Sequence, residues 1–352
     1  MTFDPLAPLP LLTGDLPGIG GVIKQQPEDF EVEEIPAYEP SGSGEHLYLW
    51  VEKRSMGAEY FSRQIARRLG LANNDVGTAG LKDRHAVTRQ WVSIPDIGSD
   101  RLAGLDGDGI RVLRVARHTN KLKPGHLRGN RFRILVREPH VDAASRLAPL
   151  LDKIQQLGVP NYYGPQRFGR DGETVKIGLA MLHGERGPRS PFLRRLALSA
   201  AQSALFNHIL ARRLRDGFFR TVLLGDVMSK WPVGGLFVAA DIDTEQARFD
   251  ARETVHTGPM FGRKIYAAGN IAAEREISAL DDAGLSAASF SGFGKLLQGT
   301  RRHNLFYAED LHAETEPGGI RFAFALPSGC YATILLRELM KCANVDENDP
   351  AS

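Results

Sequence analysis

The sequence predicts a protein of mixed α and β structure (α+β) that is divided into two domains. At 352 residues the chain is longer than one hydrophobic core usually supports. Short runs rich in β-branched and aromatic residues predict strands. Longer runs with apolar residues three and four positions apart predict helices. Both kinds of run occur along the whole chain.

The first half of the chain begins with a Pro-, Gly- and Leu-rich stretch that predicts an extended arm. Phe30 and Val32 then alternate with acidic residues, as on a half-buried strand. Phe61 and Leu69 share one face of a helix, which Gly70 is placed to end. Gly129 and the asparagine after it predict a loop that leads into a strand. The predicted elements are the arm at 1–21, strands near 30–32 and at 47–53, 76–79, 91–94 and 132–136, and helices at 58–69 and 143–157.

The second half of the chain is less regular. Leu205, Phe206 and Ile209 lie on one face of a long helix, which ends at the pair Asp216 and Gly217. Glycine-containing stretches then predict short strands and turns. The predicted elements are helices at 199–214, 241–253 and 332–341, a strand at 320–326, a turn at 327–331 and a polar tail at 344–352.

The composition excludes several functional classes. Hydrophobic residues make up 42% and charged residues 24% of the chain, as in ordinary globular proteins. The sequence lacks a run of eighteen apolar residues, so we expect no membrane span. The first residues lack the basic region of a secretory signal. Cys330 and Cys342 fit a reducing cytosol and are too few for a structural zinc site. We therefore expect a cytoplasmic protein without a bound metal.

Charge is segregated along the chain, although the net charge is only +2. Residues 111–137 contain nine cations and no acid, while acids collect at 28–34 and 241–253. Such segregation is typical of proteins that neutralise phosphates. The alternative is that these stretches are ordinary solvated faces.

Asp83 stands between Lys82 and Arg84, in a polar turn between two predicted strands. Cationic neighbours favour the ionised form of an aspartate. A charged, poorly solvated carboxylate presented at a strand end is a plausible nucleophile. The alternative is a solvated surface turn, in which exposed ion pairs contribute little.

Residues 79–91, Ala-Gly-Leu-Lys-Asp-Arg-His-Ala-Val-Thr-Arg-Gln-Trp, resemble the signature of the TruD family of transfer-RNA pseudouridine synthases. Four other stretches resemble further elements of that family and occur in the family's order. They are Lys-x-x-Pro-Glu-Asp-Phe at 24–30, Gly-Asn-x-Phe at 129–132, Pro-Asn-Tyr-Tyr-Gly-x-Gln-Arg-Phe-Gly at 160–169 and Leu-Pro-x-Gly-x-Tyr-Ala-Thr at 326–333.

The resemblance implies that Asp83 is the catalytic nucleophile and that Lys24 lies beside it, keeping it ionised and oriented. It implies that Asn130 hydrogen-bonds the uridine and that Tyr331, at a position commonly held by Phe, contacts the flipped nucleotide. The residues expected to bind the target nucleotide are Phe30, Asn130, Phe132 and Tyr331. The residues expected to contact RNA elsewhere are Arg84, Lys121, Lys123, Arg128, Arg131 and Arg167.

The resemblance also implies the pseudouridine synthase fold, in which helices flank a long, mostly antiparallel sheet. Residues 1–157 and 304–352 would form a discontinuous catalytic domain, and residues 158–303 an inserted α/β domain that forms one wall of an RNA cleft. The implied reaction converts a uridine of transfer RNA, at position 13, to pseudouridine. That reaction requires neither a metal nor an organic cofactor, and we expect a monomer whose partner is transfer RNA.

Two functions from other classes stay open at this point. A non-catalytic RNA-binding or RNA-chaperone protein on the same scaffold would tolerate the loss of Asp83. A uridine glycosidase would release free uracil and leave no new carbon–carbon bond.

Overall fold

The computed structural model describes residues 3–342, and the predicted tail at 344–352 lies outside them. The first part of the chain supplies most of one large sheet and two helices. Its elements are β1 (Gly20–Val22), β2 (Phe30–Pro36), β3 (His46–Arg54), α1 (Ala58–Leu69), β4 (Gly77–Thr78), β5 (Val87–Pro95), β6 (Ile110–His118), β7 (Leu127–Pro139) and α2 (Ala143–Leu157).

The middle and the end of the chain supply the remaining elements. Those of the middle are β8 (Val159–Pro160), α3 (Glu173–Leu182), α4 (Pro191–Arg215), β9 (Val227–Lys230), β10 (Leu236–Val238), α5 (Ile242–Asp250), β11 (Thr254–Met260), α6 (Asn270–Asp282) and β12 (Thr300–His303). Those of the end are β13 (Leu305–Phe306), β14 (Glu309–Glu316), β15 (Gly319–Pro327) and α7 (Ala332–Met340).

The large sheet has nine strands in the order β14-β15-β7-β2-β5-β3-β6, with β1 paired to β7 and β4 paired to β5. Each of these pairs is antiparallel except β2 with β5, which is parallel. The predicted mixed fold with a mostly antiparallel sheet and flanking helices is confirmed. The predicted helices at 58–69 and 143–157 have the expected bounds.

One face of the large sheet is covered by helices, because alternate residues of its strands are apolar. At one end, Phe61, Ile65 and Leu69 of α1 pack on the β3 and β5 side chains of that face. At the other end, α2 and α7 pack on apolar side chains of β2, β7 and β15. We call this the helix-covered face; its residues are Phe30, Val32, Glu34, Leu47, Leu49, Val51, Lys53, Thr88, Gln90, Val92, Ile94, Asn130, Phe132, Ile134, Val136, Ile320, Phe322, Phe324 and Leu326.

The residues between those positions point to the opposite face, which is charged along β2, β7 and the adjacent ends of β3 and β5 and carries Tyr48, Trp50 and Trp91 farther along β3 and β5. Arg89 on β5 contacts Glu31 on β2 at 3.4 Å and Glu52 on β3 at 2.8 Å. Arg131 on β7 lies 3.6 Å from Glu33. The basic residues of β7 and the acids of β2 are separate in sequence but adjacent in space.

The middle of the chain forms a second, four-stranded sheet in the order β10-β9-β11-β12. The strands that enter and leave this part of the chain, β8 and β13, pair with each other antiparallel. Within residues 3–342, the strands of the large sheet all lie before residue 140 or after residue 308. The division into domains at residues 158 and 303 stays a prediction.

Two expectations from the sequence were wrong. Gly129 and Asn130 do not form a loop but lie within β7, where Gly129 pairs with Ile35 on one side and Pro327 on the other. A Cβ at Gly129 would overlap the carbonyl oxygen of Leu326, so the glycine permits close strand approach instead of a turn. The long helix predicted at 199–214 begins earlier, at Pro191, where the Oγ of Ser190 caps the backbone N–H of Leu193.

The N-terminal arm is fixed to α7 by a buried carboxylate. Glu338, 1% exposed, accepts hydrogen bonds from the backbone N–H and the hydroxyl of Thr13, at 3.0 and 2.7 Å. Lys341 donates to the carbonyl oxygen of Thr13 at 2.5 Å. Across residues 3–342, the helices are all too short or too polar to cross a membrane.

Candidate active site

Asp83 lies in the loop between β4 and β5, with its side chain 37% exposed. The Nζ atom of Lys24 is 3.4 Å from its Oδ1 atom, and the Lys24 side chain is only 5% exposed. The pair therefore joins a buried cation to a carboxylate that is still open to solvent on one side. This is the neighbour that the resemblance implied for Asp83.

Lys24 is held in an unusual backbone conformation, with φ of +60°. Side chains other than glycine rarely adopt this left-handed region, and such strain persists where the surroundings impose it. The Lys24 ammonium also lies 4.5 Å above the centre of the Phe30 ring, which is a favourable cation–π distance. Lys24 is thus directed at Asp83 by the backbone and by the ring beneath it.

Asp29, between these two residues in sequence, fixes the segment that carries them. It accepts two hydrogen bonds from Arg137 on β7, at 2.8 and 2.7 Å, and one from the backbone N–H of Gln26 at 2.9 Å. Burial acts to raise the pKa of Asp29, but these hydrogen bonds outweigh it and the pKa is lowered. These hydrogen bonds therefore hold the Pro-Glu-Asp-Phe stretch in place next to the site.

Lys53 lies beneath the Asp83 loop with none of its surface exposed. Its ammonium donates to the backbone carbonyl oxygens of Asp83 at 3.0 Å and Lys82 at 3.5 Å, and to that of Met56. Sequence reasoning missed this residue. Its signal was strand alternation, because Leu47, Leu49 and Val51 point to the buried face and Lys53 follows in the same period.

The position of Lys82 in a charged turn suggests an exposed side chain, but the side chain is buried. Its ammonium lies 2.8 Å from the carboxylate of Glu34 on β2, and the two side chains are 3% and 0% exposed. Glu34 also accepts a hydrogen bond from the backbone N–H of Trp91 at 3.4 Å. The loop is therefore fixed to β2 at the residue before Asp83.

Asn130 lies on the same face of the sheet, directly opposite Glu34 in the pairing of β2 with β7. Its Oδ1 atom is buried and has no hydrogen-bond partner within residues 3–342. A buried unpaired amide oxygen costs free energy, about 1–3 kcal/mol, unless something outside the chain donates to it. Asn130 is thus placed to accept a hydrogen bond from a ligand.

Phe30 and Phe132 form the floor of this region. They are 1% and 5% exposed, and their ring centroids are 6.2 Å apart in an edge-to-face arrangement. Phe132 also stacks on Phe324, with centroids 5.3 Å apart. Both rings lie among core residues, so stacking of a base on either ring stays a prediction that requires the covering side chains to move.

Tyr331 is 38% exposed and lies in the turn after β15. Arg302, at the end of β12 in the second sheet, connects this turn to the 160–169 stretch. Its guanidinium donates to the carbonyl oxygen of Gly329 at 2.9 Å and to the Oδ1 of Asn161 at 2.7 Å, and it lies 4.1 Å above the Tyr163 ring. Tyr163 in turn lies 6.1 Å from the Tyr331 ring. Arg302 was not identified from the sequence.

A cleft of about 610 Å³ opens beside the turn that carries Tyr331. One wall is formed by residues 327–330 and by Leu127 and Arg128 of the large sheet. The other wall is formed by the second sheet, including Arg301, Arg302 and His303. Burial lowers the pKa of His303 to about 4, with a further contribution from Arg302, so its imidazole is neutral near pH 7. Within residues 3–342, no cluster of His, Cys, Asp and Glu is arranged to hold a metal ion.

The six cations expected to contact RNA elsewhere are not equivalent. Arg84 and Lys123 are exposed and, within residues 3–342, lie beyond 4 Å from any carboxylate oxygen. Arg128 lies 3.8 Å from Glu309, and Arg131 is paired on the face of the sheet opposite Asn130. The other two bond within the chain: Lys121 to the carbonyl of Asn74 and Arg167 to the hydroxyls of Ser199 and Ser203.

Comparison with known proteins assigns the chain to a family. The family model described as tRNA pseudouridine synthase D (TruD) matches residues 9–187 and 190–339. The tRNA pseudouridine synthase D of Anaeromyxobacter dehalogenans strain 2CP-C is 46% identical over 348 residues, covering 97% of this chain and 99% of the relative. That of a Thermus thermophilus strain is 42% identical over 345 residues, covering 97% and 95%.

A solved structure gives the same result at the level of the fold. The crystal structure of a Methanosarcina mazei protein described as a tRNA pseudouridine synthase D (TruD) superposes with a TM-score of 0.77 at 26% identity. The match covers 95% of this chain and 96% of that one. The chain therefore belongs to the TruD family of tRNA pseudouridine synthases.

Proposed function

We propose that this protein converts a uridine of transfer RNA to pseudouridine, with Asp83 as the nucleophile. The observation that carries the proposal is the pairing of the half-exposed Asp83 carboxylate with the buried Lys24 ammonium at 3.4 Å, in a loop fixed on the helix-covered face. The unpaired amide oxygen of Asn130 on that face supports it, because uracil N3–H is a donor that such an oxygen can accept. Membership of the family sets the substrate class.

The proposed reaction breaks the glycosidic N1–C1′ bond and forms a C5–C1′ bond between the same base and sugar. The base gains a proton at N1 and loses one from C5, so neither an oxidant nor a group donor is needed. Asp83 either attacks C1′ or removes the 2′ hydrogen of the ribose to give a glycal. Lys24 supplies the adjacent cation that holds the carboxylate in place on either route.

The target nucleotide has to leave its stack before Asp83 can reach the sugar. Tyr331 is an exposed aromatic side chain near the cleft. Stacking of the extruded base on its ring would offset the cost of extrusion by about 1–3 kcal/mol. The apolar floor formed by Phe30 and Phe132 would keep water from C1′, where attack by water would release uracil instead of isomerising it.

We further propose that residues 158–303 form the inserted domain and that RNA lies in the cleft between it and the large sheet. The pairing of β8 with β13 supports this division, since it brings the entry and exit of the segment together. Arg84, Lys123 and Arg128 are the exposed cations best placed to contact phosphates. The resemblance implies uridine 13 as the target.

Replacement of Asp83 by asparagine tests the proposal. The variant is expected to bind transfer RNA within about threefold of the original protein and to lose at least about 10³-fold in pseudouridine formation, since it lacks the nucleophile. Asp100→Asn, at an exposed position, is the matched control and should keep full activity. Pseudouridine is measured by chromatography of nuclease-digested transfer RNA, and mapping locates its position.

The same chromatography also distinguishes the proposed reaction from the two alternative functions. Release of free uracil without pseudouridine indicates a glycosidase. Binding of transfer RNA without any product indicates a non-catalytic RNA-binding protein. Unchanged product formation by Asp83→Asn would remove Asp83 from the mechanism.

A further inference from the structure

Lys53 differs from the other cations near Asp83 because it contacts only backbone. Its three hydrogen-bond acceptors are carbonyl oxygens, of which one belongs to Asp83 itself and one to the residue before it. An ammonium group has three donors, so all three are used in holding the strand end and the loop together. The side chain is completely buried, so it cannot touch RNA.

The register of the sheet explains how Lys53 comes to lie there. Lys53 on β3 is opposite Thr88 on β5, Thr88 is the partner of Val32 on β2, and Val32 is opposite Phe132 on β7. This row crosses the helix-covered face and ends beside Asn130, two residues from Phe132. The Lys53 ammonium therefore connects the backbone of the nucleophile to the same sheet that presents Asn130.

We propose that Lys53 is a positioning residue for the reaction: by bonding the main chain of Asp83 and Lys82, it sets the distance between the Asp83 carboxylate and the nucleotide. The proposal rests on the proposed function. Lys24 acts on the carboxylate of Asp83, and Lys82 fixes the loop through Glu34. Lys53 acts on the backbone, which neither of them contacts.

The charge of Lys53 is itself sensitive to pH. Burial lowers its pKa to about 8, with the Asp83 carboxylate opposing this and the Lys82 ammonium adding to it. The facing side chain of α1 is the uncharged ring of Phe61, 5.9 Å away. Above pH 8 the neutral amine has only two donors for three carbonyls and turns a lone pair toward one of them. The loop then loses one of the hydrogen bonds that fix it.

The effect on stability has the opposite sign. Because the pKa is lower in the folded protein than in the unfolded chain, the unfolded chain binds more protons between pH 8 and about 10.5. Lys53 therefore makes the free energy of unfolding rise with pH over this range. A loss of activity there cannot be attributed to unfolding by this residue.

The test compares the single-turnover rate of pseudouridine formation, at saturating protein, with the transfer-RNA Kd for the original chain and for Lys53→Met. The variant is expected to lose about 10²-fold in rate, as for a misplaced catalytic group, with Kd changed less than about threefold. Lys341→Met is the control, since Lys341 is a partly buried lysine that, like Lys53, donates to a backbone carbonyl, that of Thr13. It should lower the thermal midpoint without changing the rate.

The pH profile distinguishes positioning from a general loss of structure. The ratio of the rates of the original protein and Lys53→Met cancels the titrations that the two proteins share, and it should fall about tenfold between pH 7 and pH 9 as Lys53 loses its proton. A ratio that does not change with pH, or a Lys53→Met rate equal to that of the original protein, overturns the proposal.

If Lys53→Met does not fold, the unaltered protein decides the question. Its single-turnover rate should fall with a midpoint near pH 8 while it remains folded by circular dichroism, and a rate that is flat from pH 7 to pH 9 overturns the proposal. If the unaltered protein makes no pseudouridine at all, it is the proposed function that fails.

Discussion

Buried charge is concentrated around Asp83. The side chain of Lys24 is 5% exposed. As whole residues, Lys53, Lys82 and Glu34 are 0%, 7% and 2% exposed. Burying charges is unfavourable unless each is paired, and paired charges in an apolar interior are retained where they impose one arrangement. Here each cation constrains a different part of the same loop: Lys24 the carboxylate, Lys53 the backbone and Lys82 the preceding side chain.

The Lys82–Glu34 pair gives a prediction about stability. Lys82→Met leaves Glu34 as a buried, uncompensated carboxylate, and we expect the free energy of unfolding to fall by about 3–5 kcal/mol. The double variant Lys82→Met/Glu34→Leu should recover most of that loss, because neither charge remains. Urea titrations followed by fluorescence measure all three proteins.

A matched exposed pair is the control for this prediction. Lys153 is paired with Asp15, whose side chain is 65% exposed. Lys153→Met should change the free energy of unfolding by less than about 1 kcal/mol. Equal losses for the two lysines would show that the burial of the Lys82–Glu34 pair has no energetic consequence.

The sequence predicts the chemistry of single residues better than their surroundings. The proximity of Lys24 to Asp83 follows from the resemblance, although 59 positions separate the two residues. Lys53 and Arg302 were missed, since each acts through contacts that depend on strand register and on the approach of two sheets. The burial of Phe30 follows from the alternation of β2, whereas its edge-to-face contact with Phe132 depends on the pairing of β2 with β7 and was not predictable.

In strand β7, a two-residue sequence pattern predicts a structure that the fold does not have. The pair Gly129 and Asn130 favours a turn by its own composition. In the structure both residues pair on two sides, with β2 and β15, and the neighbouring strands override the local preference. The strands at 47–53 and 320–326 were predicted closely, since their apolar residues match the face that is buried.

The close approach of β15 to β7 at Gly129 therefore gives a testable prediction. A methyl group there would overlap the carbonyl oxygen of Leu326, so Gly129→Ala should push β15 away from β7. We expect a loss of about 1–3 kcal/mol in the free energy of unfolding, together with slower pseudouridine formation because Asn130 is the next residue.

Gly57 provides the comparison. It precedes α1, has φ of −65°, and a Cβ there would meet no atom within 4 Å. Gly57→Ala should cost less than about 1 kcal/mol and leave the rate unchanged. If Gly129→Ala behaves like Gly57→Ala in both measurements, the close approach of the two strands is not needed.

Charge is distributed differently in the folded molecule than along the chain. Residues 111–137 contain cations without acids, which predicts a basic surface. In three dimensions several of these cations face carboxylates from other parts of the chain, as Arg137 faces Asp29, Arg117 faces Asp96 and Arg131 faces Glu33. The fold therefore places acids beside several cations of the basic run, which a one-dimensional count cannot reveal.

This arrangement predicts which cations contribute to RNA binding. Arg84 is exposed, follows Asp83 directly, and within residues 3–342 has no carboxylate oxygen within 4 Å, whereas Arg131 is paired on the opposite face of the sheet from Asn130. The logarithm of the association constant falls linearly with the logarithm of the salt concentration, by about 0.7–0.9 per phosphate neutralised. Arg84→Gln should therefore reduce the slope by about one unit and weaken transfer-RNA binding at low salt. Arg131→Gln, which removes the same charge from the whole molecule, should change neither quantity. The measurement is filter binding of transfer RNA over a range of salt concentrations. Equal slopes for the two variants would mean that net charge, and not the position or pairing of each cation, determines RNA affinity.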